Sequence, residues 1–310
     1  MTTSIGFVGL GAMGLLMAKQ LLAKGHTVYG YDVARKPLED FAGAGGQPVS
    51  SPREAADQVS LLILVVATAD QAEAALFGAD GGAAVLGEGG VVVLHSTVLP
   101  PFAQSLGERL AEMGLDLLDA PVSGGQAGAA SGTLTVMASG SEAAFQAAAP
   151  ALEATARKVY RLGAEPGVGS TVKMINQHLA GVHLAAAGEA MALGAACGAD
   201  PRILYDVISN SAGNSWMFTD RVPHILARDF TPTSAVETFV KELGIVLDTA
   251  KGRRFPLPIA AAAHQQFLAA AAAGYGREDD IAVVKVYERL CGFEVAGGPA
   301  APGDGEGGKD

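Results

Sequence analysis

The feature that most constrains the fold is an apolar strand pattern that runs into closely spaced glycines and then into a helical pattern. "IGFVGL", which begins at Ile5, is typical of a buried strand, and "AMGLLMAKQLLAKG", which ends at Gly25, is typical of a helix closed by glycine. Between them, Gly9, Gly11 and Gly14 have the G-x-G-x-x-G spacing. A strand that turns into a helix at such glycines predicts the first βα unit of a doubly wound sheet.

The remainder of the first half repeats this alternation of strands and helices. Strand patterns occur in "TVYGYD", "LLILVVA", "VVVLHST", "LDLLDAPV" and "GTLTVMASG". Alternation of this kind predicts a mainly parallel sheet covered by helices on both faces. A Gly/Pro-rich stretch over residues 160–169 then ends the pattern.

Helical patterns dominate the second half. A long apolar helix is predicted from Ser170 to Cys197, and Ser234 with Glu237 predicts a capping box at the start of a later helix. The predicted fold class is therefore α/β followed by all-α. Its parts are an N-terminal Rossmann dinucleotide-binding domain at residues 1–163, an all-α C-terminal domain at residues 164–295 led by a long interdomain helix, and a disordered tail at residues 296–310.

The glycine loop predicts a site for the pyrophosphate of a dinucleotide. Gly9 permits the tight turn, Gly11 lets the backbone approach the phosphates, and Gly14 allows the helix to pack closely on the strand. The helix N-terminus adds N–H groups and a positive dipole end. The cofactor-binding residues predicted here are Gly9, Leu10, Gly11, Ala12, Met13 and Gly14.

The end of the second strand predicts which cofactor binds. Tyr31 and Asp32 lie there, and an acidic side chain at this point accepts hydrogen bonds from the ribose hydroxyls of adenosine. It also repels a 2′-phosphate, so the sequence favours NAD over NADP. Arg35 lies nearby and weakens this preference.

Charge and composition exclude several classes of partner. The net charge of −11 opposes binding to nucleic acid and to anionic membranes. The longest fully apolar run, "LLILVVA", is far shorter than the ~20 residues of a membrane-spanning helix. No signal-peptide pattern precedes the first strand, and Cys197 and Cys291 have no metal-type spacing. We expect a cytoplasmic protein with no metal site and no nucleic-acid or membrane partner.

A second Gly-rich stretch, "DAPVSGGQAGAASGTLTVMASG", begins at Asp119. Ser123, Gly124 and Gly125 follow a predicted strand and offer a hydroxyl and backbone N–H groups that can bind a carboxylate. An ordinary strand-to-loop turn explains the same residues. The motif by itself leaves both interpretations open.

One lysine occupies an unusual setting in the predicted long helix. Lys173 is the only permanently charged side chain between Glu165 and Glu189, and Asn176 and Gln177 follow within one turn. Loss of hydration favours the neutral form of a lysine and lowers its pKa, which suits a general base. The alternative is that the side chain extends to solvent along the apolar helix.

Four motifs, in this order, resemble the β-hydroxyacid dehydrogenase family. They are "GFVGLGAMG", "DAPVSGGQAGAASGTLTVMASG", "GVGSTVKMINQ" and "FVKELG". The family includes 3-hydroxyisobutyrate dehydrogenases, tartronate semialdehyde reductases and, more distantly, 6-phosphogluconate dehydrogenases. The resemblance covers residues 4–290, and segments such as "SNSAGNSWMF" and "GYGREDD" are most similar to the L-threonate dehydrogenase branch.

The resemblance implies roles for residues around the predicted lysine. Lys173 matches the catalytic lysine of the family, and Asn176 and Gln177 match the amide pair that follows it. Gln177 is a departure, because many members have Asn there. The substrate-binding Ser-Gly-Gly of the family falls on Ser123, Gly124 and Gly125.

Further matches concern the nicotinamide half of the cofactor. Thr97 matches a residue that contacts it, and Lys241 matches a lysine near both cofactor and substrate. Glu242 replaces the aspartate that usually follows this lysine, which leaves the local ion pairing open. The strand end that lines the same region falls on Val66, Ala67 and Thr68.

Two polar groups outside these motifs are open to two interpretations. His95 either borders the cofactor or is a satisfied histidine at a strand end. Asp279 and Asp280 either cap a helix or close the site of a partner subunit.

The resemblance implies NAD-dependent oxidation of a small hydroxy acid by a homodimer or homotetramer built through the helical domains. L-Threonate is the expected substrate, with tartronate semialdehyde reduction or 3-hydroxyisobutyrate oxidation as the alternatives. A non-catalytic dinucleotide-binding scaffold is the alternative from another class, and the buried lysine argues against it.

Overall fold

The computed structural model describes residues 3–57 and 59–296. The chain divides into two compact units, and the boundary between them falls after Met174 in the sequence. The predicted domain boundary between residues 163 and 164 stays a prediction. The predicted disordered tail, apart from Ala296, lies outside the described residues.

The described part of the first unit contains one nine-stranded sheet. Its strands are β1 (Ser4–Val8), β2 (Thr27–Tyr31), β3 (Gln47–Pro48), β4 (Leu61–Leu64), β5 (Val91–Leu94), β6 (Asp116–Asp119), β7 (Val122–Ser123), β8 (Leu134–Ser139) and β9 (Ala156–Gly163). They are ordered β3-β2-β1-β4-β5-β6-β8-β7, and β9 pairs with β8. The first six are parallel, β8 is antiparallel to β6 and β7, and β9 is parallel to β8. The chain order reverses between β1 and β4, which is where dinucleotides bind in such sheets.

Both faces of the sheet are covered at its central strands β4 and β5, whose residues are all buried although alternate residues point to opposite sides. Ile63 on β4 belongs to one apolar core and its neighbour Leu64 to another. Each core is completed by helices of its own. The helices of this unit are α1 (Gly14–Ala23), α2 (Arg35–Gly43), α3 (Pro52–Ala56), α4 (Ala69–Phe77), α5 (Pro100–Glu112), α6 (Gly125–Ser131) and α7 (Glu142–Thr155). The predicted α/β arrangement is confirmed.

The described second unit is helical, also as predicted. Its elements are α8 (Val168–Ala196), which begins in the first unit, α9 (Pro201–Ser209), α10 (Trp216–Ala227), α11 (Val236–Gly252), α12 (Pro258–Ala270), a π-helical turn (Ala271–Tyr275), a 3-10 helix (Asp280–Val283) and α13 (Val284–Cys291). Gly181 on α8 allows close packing, because a Cβ there would lie 2.9 Å from Leu243 of α11.

The predicted capping box at Ser234 is wrong. The N-cap of α11 is Ala235, and no side chain caps this helix. Backbone carbonyls satisfy its first N–H groups instead: Val236 donates to Glu278 O and Glu237 donates to Gly276 O, both at 3.0 Å. A side-chain cap is unnecessary where a neighbouring segment supplies the acceptors.

One helix of the described residues, α8, is long and apolar enough to span a membrane by length and composition, and 39% of its most apolar window is buried. Its buried residues include Lys173 and Gln177, and its first turn is held by the side chains of Asp119 and Ser139. Buried polar groups and a capped first turn are typical of a core helix in a globular protein.

Candidate active site

The glycine loop between β1 and α1 has the geometry that its sequence predicts. Gly9 has a φ of +98°, and a Cβ there would overlap the carbonyl group of Val65. A Cβ at Gly14 would overlap Gly9 O, so α1 packs directly against the loop. A Cβ at Gly11, in contrast, would have no atom within 4 Å. Gly11 therefore faces open space into which a ligand can approach the backbone.

The N-terminus of α1 adds donors to this space. The helix has Met13 as its N-cap and no side-chain cap. Leu15 N–H donates to Gly11 O at 3.0 Å, while the N–H groups that precede it in this turn have no intrahelical acceptor. A diphosphate group fits such a terminus, because it accepts from these donors and lies at the positive end of the helix dipole.

Asp32 is held at the end of β2 by two backbone hydrogen bonds. Leu10 N–H donates to Oδ2 at 2.7 Å and Ala34 N–H donates to Oδ1 at 2.8 Å. Each carboxylate oxygen retains a further lone pair for a ribose hydroxyl. Arg35 is bonded to Glu39 at 2.8 Å and its side chain is 91% exposed. The paired carboxylate of Glu39 offsets the charge of Arg35, which agrees with NAD as the cofactor.

The ends of β4 and β5 are linked by a side chain. Ser96 Oγ accepts a hydrogen bond from Val66 N–H at 3.1 Å, and Thr97 next to it is partly exposed. Thr68 caps α4: Thr68 Oγ1 accepts from Gln71 N–H, and Gln71 Oε1 accepts from the N–H groups of Ala67 and Thr68. Thr68 therefore has a structural role as the N-cap of α4.

His95 is a satisfied histidine at a strand end. It is buried, and its Nδ1 lies 2.5 Å from Ala120 O. Burial lowers the pKa of His95 to about 4, against a smaller opposing effect of this hydrogen bond. The ring is therefore neutral at physiological pH and donates from Nδ1 to the residue that precedes Pro121.

The Ser-Gly-Gly segment lies at the junction of β7 and α6. Gly124 has a φ of 128° and Gly125 a φ of 59°, conformations that favour glycine. Both glycines are exposed and Ser123 is partly buried. The backbone at Gly124 and Gly125 is therefore accessible to a small anion.

Lys173 is a buried residue of α8, with 7% of its surface exposed. The alternative of a side chain extended to solvent does not agree with this burial. Lys173 lies three residues after Ser170, which is also buried. The two therefore share one face of the helix.

In the second unit, four side chains form a chain of polar contacts. Asn176 Nδ2 donates to Gln177 Oε1 at 2.8 Å, and Gln177 Nε2 donates to Glu242 Oε2. Lys241 Nζ lies 3.8 Å from Glu242 Oε1. Glu242 is only 5% exposed, so its carboxylate holds Gln177 in a nearly dry setting. The sequence drew attention to Glu242 only as a replacement for aspartate.

Asp279 and Asp280 have structural partners. Asp279 Oδ1 accepts from Ile281 N–H and caps the 3-10 helix, while Asp280 pairs with Arg221 at 2.9 Å. Burial raises the pKa of Asp280 to about 7, against the opposing charge of Arg221. No cluster of three potential metal ligands occurs among the described residues.

Comparison with known proteins decides the family. Residues 4–163 match the model of the NAD binding domain of 6-phosphogluconate dehydrogenase. Residues 167–287 match the model described as the NAD-binding domain of NADP-dependent 3-hydroxyisobutyrate dehydrogenase. The chain belongs to the β-hydroxyacid dehydrogenase family.

Relatives of known activity agree with this membership. An L-threonate dehydrogenase of Cupriavidus necator is 55% identical over 96% of this chain and 99% of its own length. An L-threonate dehydrogenase of Escherichia coli K12 is 49% identical over 92% of this chain and 95% of its own length. The crystal structure of a 3-hydroxyisobutyrate dehydrogenase from Salmonella typhimurium is 47% identical, with a TM-score of 0.86 over 92% of this chain and 99% of its own.

This β-hydroxyacid dehydrogenase is an NAD-dependent oxidoreductase that acts on hydroxy acids. Its cofactor is NAD, and the loop at Gly11 and the carboxylate of Asp32 fit that molecule.

Proposed function

We propose that this enzyme oxidises L-threonate to 2-dehydro-L-erythronate. The observation that carries the proposal is 47–55% identity to five L-threonate dehydrogenases, each over at least 92% of the chain. The human 3-hydroxyisobutyrate dehydrogenase, in contrast, is 33% identical. The difference favours a polyhydroxylated acid over one with a methyl branch.

The polar groups of the site suit such a substrate. In our proposal the Ser123 hydroxyl and the N–H groups of Gly124 and Gly125 bind its carboxylate. Asn176 and Gln177 bind its hydroxyls, and Glu242 supports them because it fixes the amide of Gln177. Lys241 adds positive charge near the carboxylate or the cofactor.

The reaction separates a hydride from a proton. NAD, when bound, accepts the hydride from C2 of the acid. Lys173 Nζ accepts the proton of the hydroxyl on that carbon, and the C–O bond becomes a carbonyl. Burial of Lys173 supports this role, since loss of hydration favours the neutral, proton-accepting amine.

The test is NADH formation at 340 nm by purified enzyme with NAD and a panel of acids. We expect the highest kcat/KM for L-threonate, ahead of D-glycerate and 3-hydroxyisobutyrate. Reduction of the product with borodeuteride should place deuterium on C2. Deuterium on C3, or a higher kcat/KM for another acid, would overturn the substrate assignment.

Two other outcomes have specific meanings. Preference for 3-hydroxyisobutyrate would agree with the name of the Salmonella structure, which is 47% identical. Faster oxidation of NADH with tartronate semialdehyde would indicate a reductase. Tight NADH binding without turnover on any compound would indicate a scaffold.

We also propose a homodimer or homotetramer in the cytoplasm. Ile175, Leu179 and Leu193 lie along one side of α8 and are 50%, 52% and 63% exposed. A stripe of large apolar side chains on one helix is typical of an interface. Cys197 and Cys291 are exposed free thiols, which suits a reducing compartment. Light scattering after gel filtration tests the assembly, and a monomer at micromolar concentration would contradict it.

A further inference from the structure

The buried side chain of Asp119 lies between two segments with proposed roles in the reaction, the start of α8 before Lys173 and the Ser123–Gly125 turn. Asp119 ends β6 and has no exposed surface. Its Oδ2 accepts hydrogen bonds from Gly167 N–H at 2.9 Å and Ser170 N–H at 2.8 Å. Its Oδ1 accepts from the Ser170 hydroxyl at 2.7 Å. These donors lie at the start of α8, and the side chain of Ser139 on β8 is a further hydrogen-bond partner of Asp119.

A second strand completes this cap. Ser139, at the end of β8, accepts from Gly169 N–H at 2.9 Å. A Cβ on Gly169 would lie 2.5 Å from Asp119 O and from Met137 O, so the backbone of α8 is seated directly on the two strands. The first turn of α8 is thus capped by side chains from the sheet rather than by its own residues.

Burial and hydrogen bonding act in opposite directions on the carboxylate of Asp119. Burial raises the pKa of Asp119, and its hydrogen bonds from Ser170 and Gly167 oppose that effect. A carboxylate at a helix N-terminus also interacts favourably with the helix dipole. A neutral amide cannot replace it fully, because the NH2 group of Asn does not accept from N–H donors.

Asp119 is linked to two predicted functional segments, to α8 by hydrogen bonds and to the Ser-Gly-Gly turn by the chain itself. Lys173 lies one turn after Ser170, on the same face of α8. On the other side, Ala120 and Pro121 follow Asp119 and lead directly into Ser123.

We propose that Asp119 is a positioning residue that sets the place of Lys173 relative to the Ser123–Gly125 turn. The proposal rests on the general-base role of Lys173 in the proposed function. Asp119 acts through α8 and contacts no substrate. Its effect is therefore on the transfer of the proton and not on the binding of NAD.

The experiment is a double-mutant cycle in the full-length enzyme. Asp119→Asn, Lys173→Ala and the double variant are compared with wild type for kcat, for KM of NAD and for melting temperature. We expect Asp119→Asn to lower kcat on the order of 10²-fold, since a misplacement of about 1 Å has this effect, with KM for NAD unchanged. In the Lys173→Ala background the same substitution should change kcat less than two-fold, because the group that it positions is already gone.

Two further variants keep the test decisive. Asp116 lies at the other end of β6, where its Oδ1 accepts from Leu117 N–H and its Oδ2 accepts from the Ser141 hydroxyl. The control substitution Asp116→Asn should leave kcat unchanged. Ser170→Ala removes the hydrogen bond that the Ser170 hydroxyl donates to Asp119 and should lower kcat several-fold, which provides a measurement if Asp119→Asn does not fold.

The outcomes distinguish a failure of the positioning role of Asp119 from a failure of the general-base role of Lys173. Equal losses of kcat in both backgrounds would mean that Asp119 acts independently of Lys173 and would overturn the positioning role alone. A lower melting temperature with unchanged kcat would overturn it as well. Wild-type turnover by Lys173→Ala would overturn the proposed base, and the positioning proposal with it.

Discussion

Gly11→Ala should abolish tight cofactor binding while leaving the fold intact. A Cβ at Gly11 meets no protein atom within 4 Å, so the apo protein has room for it. The bound diphosphate needs the same space, because the backbone of this loop must approach it closely. The substitution is therefore directed against the ligand alone.

The expected loss follows from the hydrogen bonds that the extra methyl group prevents. A hydrogen bond between a backbone N–H and a charged phosphate contributes about 1.5–3 kcal/mol. The loss of one such bond raises the Kd of NADH about 10- to 150-fold. The loss of a second would take the Kd beyond the range of a fluorescence titration.

The assay is a titration of NADH fluorescence together with thermal unfolding in the absence of cofactor. Gly87→Ala is a matched control, since a Cβ at Gly87 also has no atom within 4 Å and this residue lies outside the loop. Both variants should melt within about 2 °C of wild type. A Kd for Gly11→Ala within two-fold of wild type would show that the diphosphate does not need the space at Gly11, and a melting temperature lowered only in that variant would show that the apo protein lacks room for the methyl group.

Three further predictions concern neighbouring groups. His95 is neutral in the folded protein and binds a proton when the protein unfolds, so its contribution to the free energy of unfolding falls as the pH drops from 6.5 to about 4, by about 3 kcal/mol at most. The free energy of unfolding in urea should therefore depend less on pH in His95→Asn than in wild type over this window. An equal pH dependence in the two proteins would contradict a neutral, buried His95. Glu242→Ala leaves the amide of Gln177 without its buried acceptor and should lower kcat/KM for the acid about 10- to 100-fold. Asp248 is exposed on the same helix, so Asp248→Ala should leave kcat/KM unchanged. Equal effects of the two substitutions would contradict the role of Glu242 in fixing Gln177. Asp32→Ser should lower kcat/KM for NAD by at least about 10-fold and for NADP by less, and an equal loss for both cofactors would exclude cofactor selection by Asp32.

Features encoded within a few residues could be predicted from the sequence. Gly9, Gly11 and Gly14 specify a turn and a helix start, and the strand before them is buried apart from Ser4. The capping box of Thr68 and Gln71 is encoded in the same way, as T-x-x-Q before a helical pattern. We did not predict it, because the resemblance drew attention to Thr68 as a cofactor contact.

Features that join distant segments could not be predicted. Asp119 lies 51 positions before Ser170, and Glu242 lies 65 positions after Gln177. No local pattern pairs such residues, so only the fold reveals the partners. β9 was not predicted for a different reason. Its sequence, "ARKVYRLG", is mostly exposed and has no apolar alternation, and it belongs to the sheet because it pairs with β8. The capping box at Ser234 was predicted wrongly because the acceptors for the first N–H groups of α11 are carbonyls of residues 276 and 278, which are distant in the sequence.

The general-base role of Lys173 is tested most directly by the turnover of Lys173→Ala on L-threonate. Lys158, an exposed lysine on β9, provides the control variant Lys158→Ala. We expect kcat to fall about 10²- to 10⁴-fold in Lys173→Ala, with the Kd of NADH within two-fold of wild type and full activity in Lys158→Ala. A Lys173→Ala enzyme that binds NADH and turns over at the wild-type rate would contradict a role for this buried lysine in proton transfer.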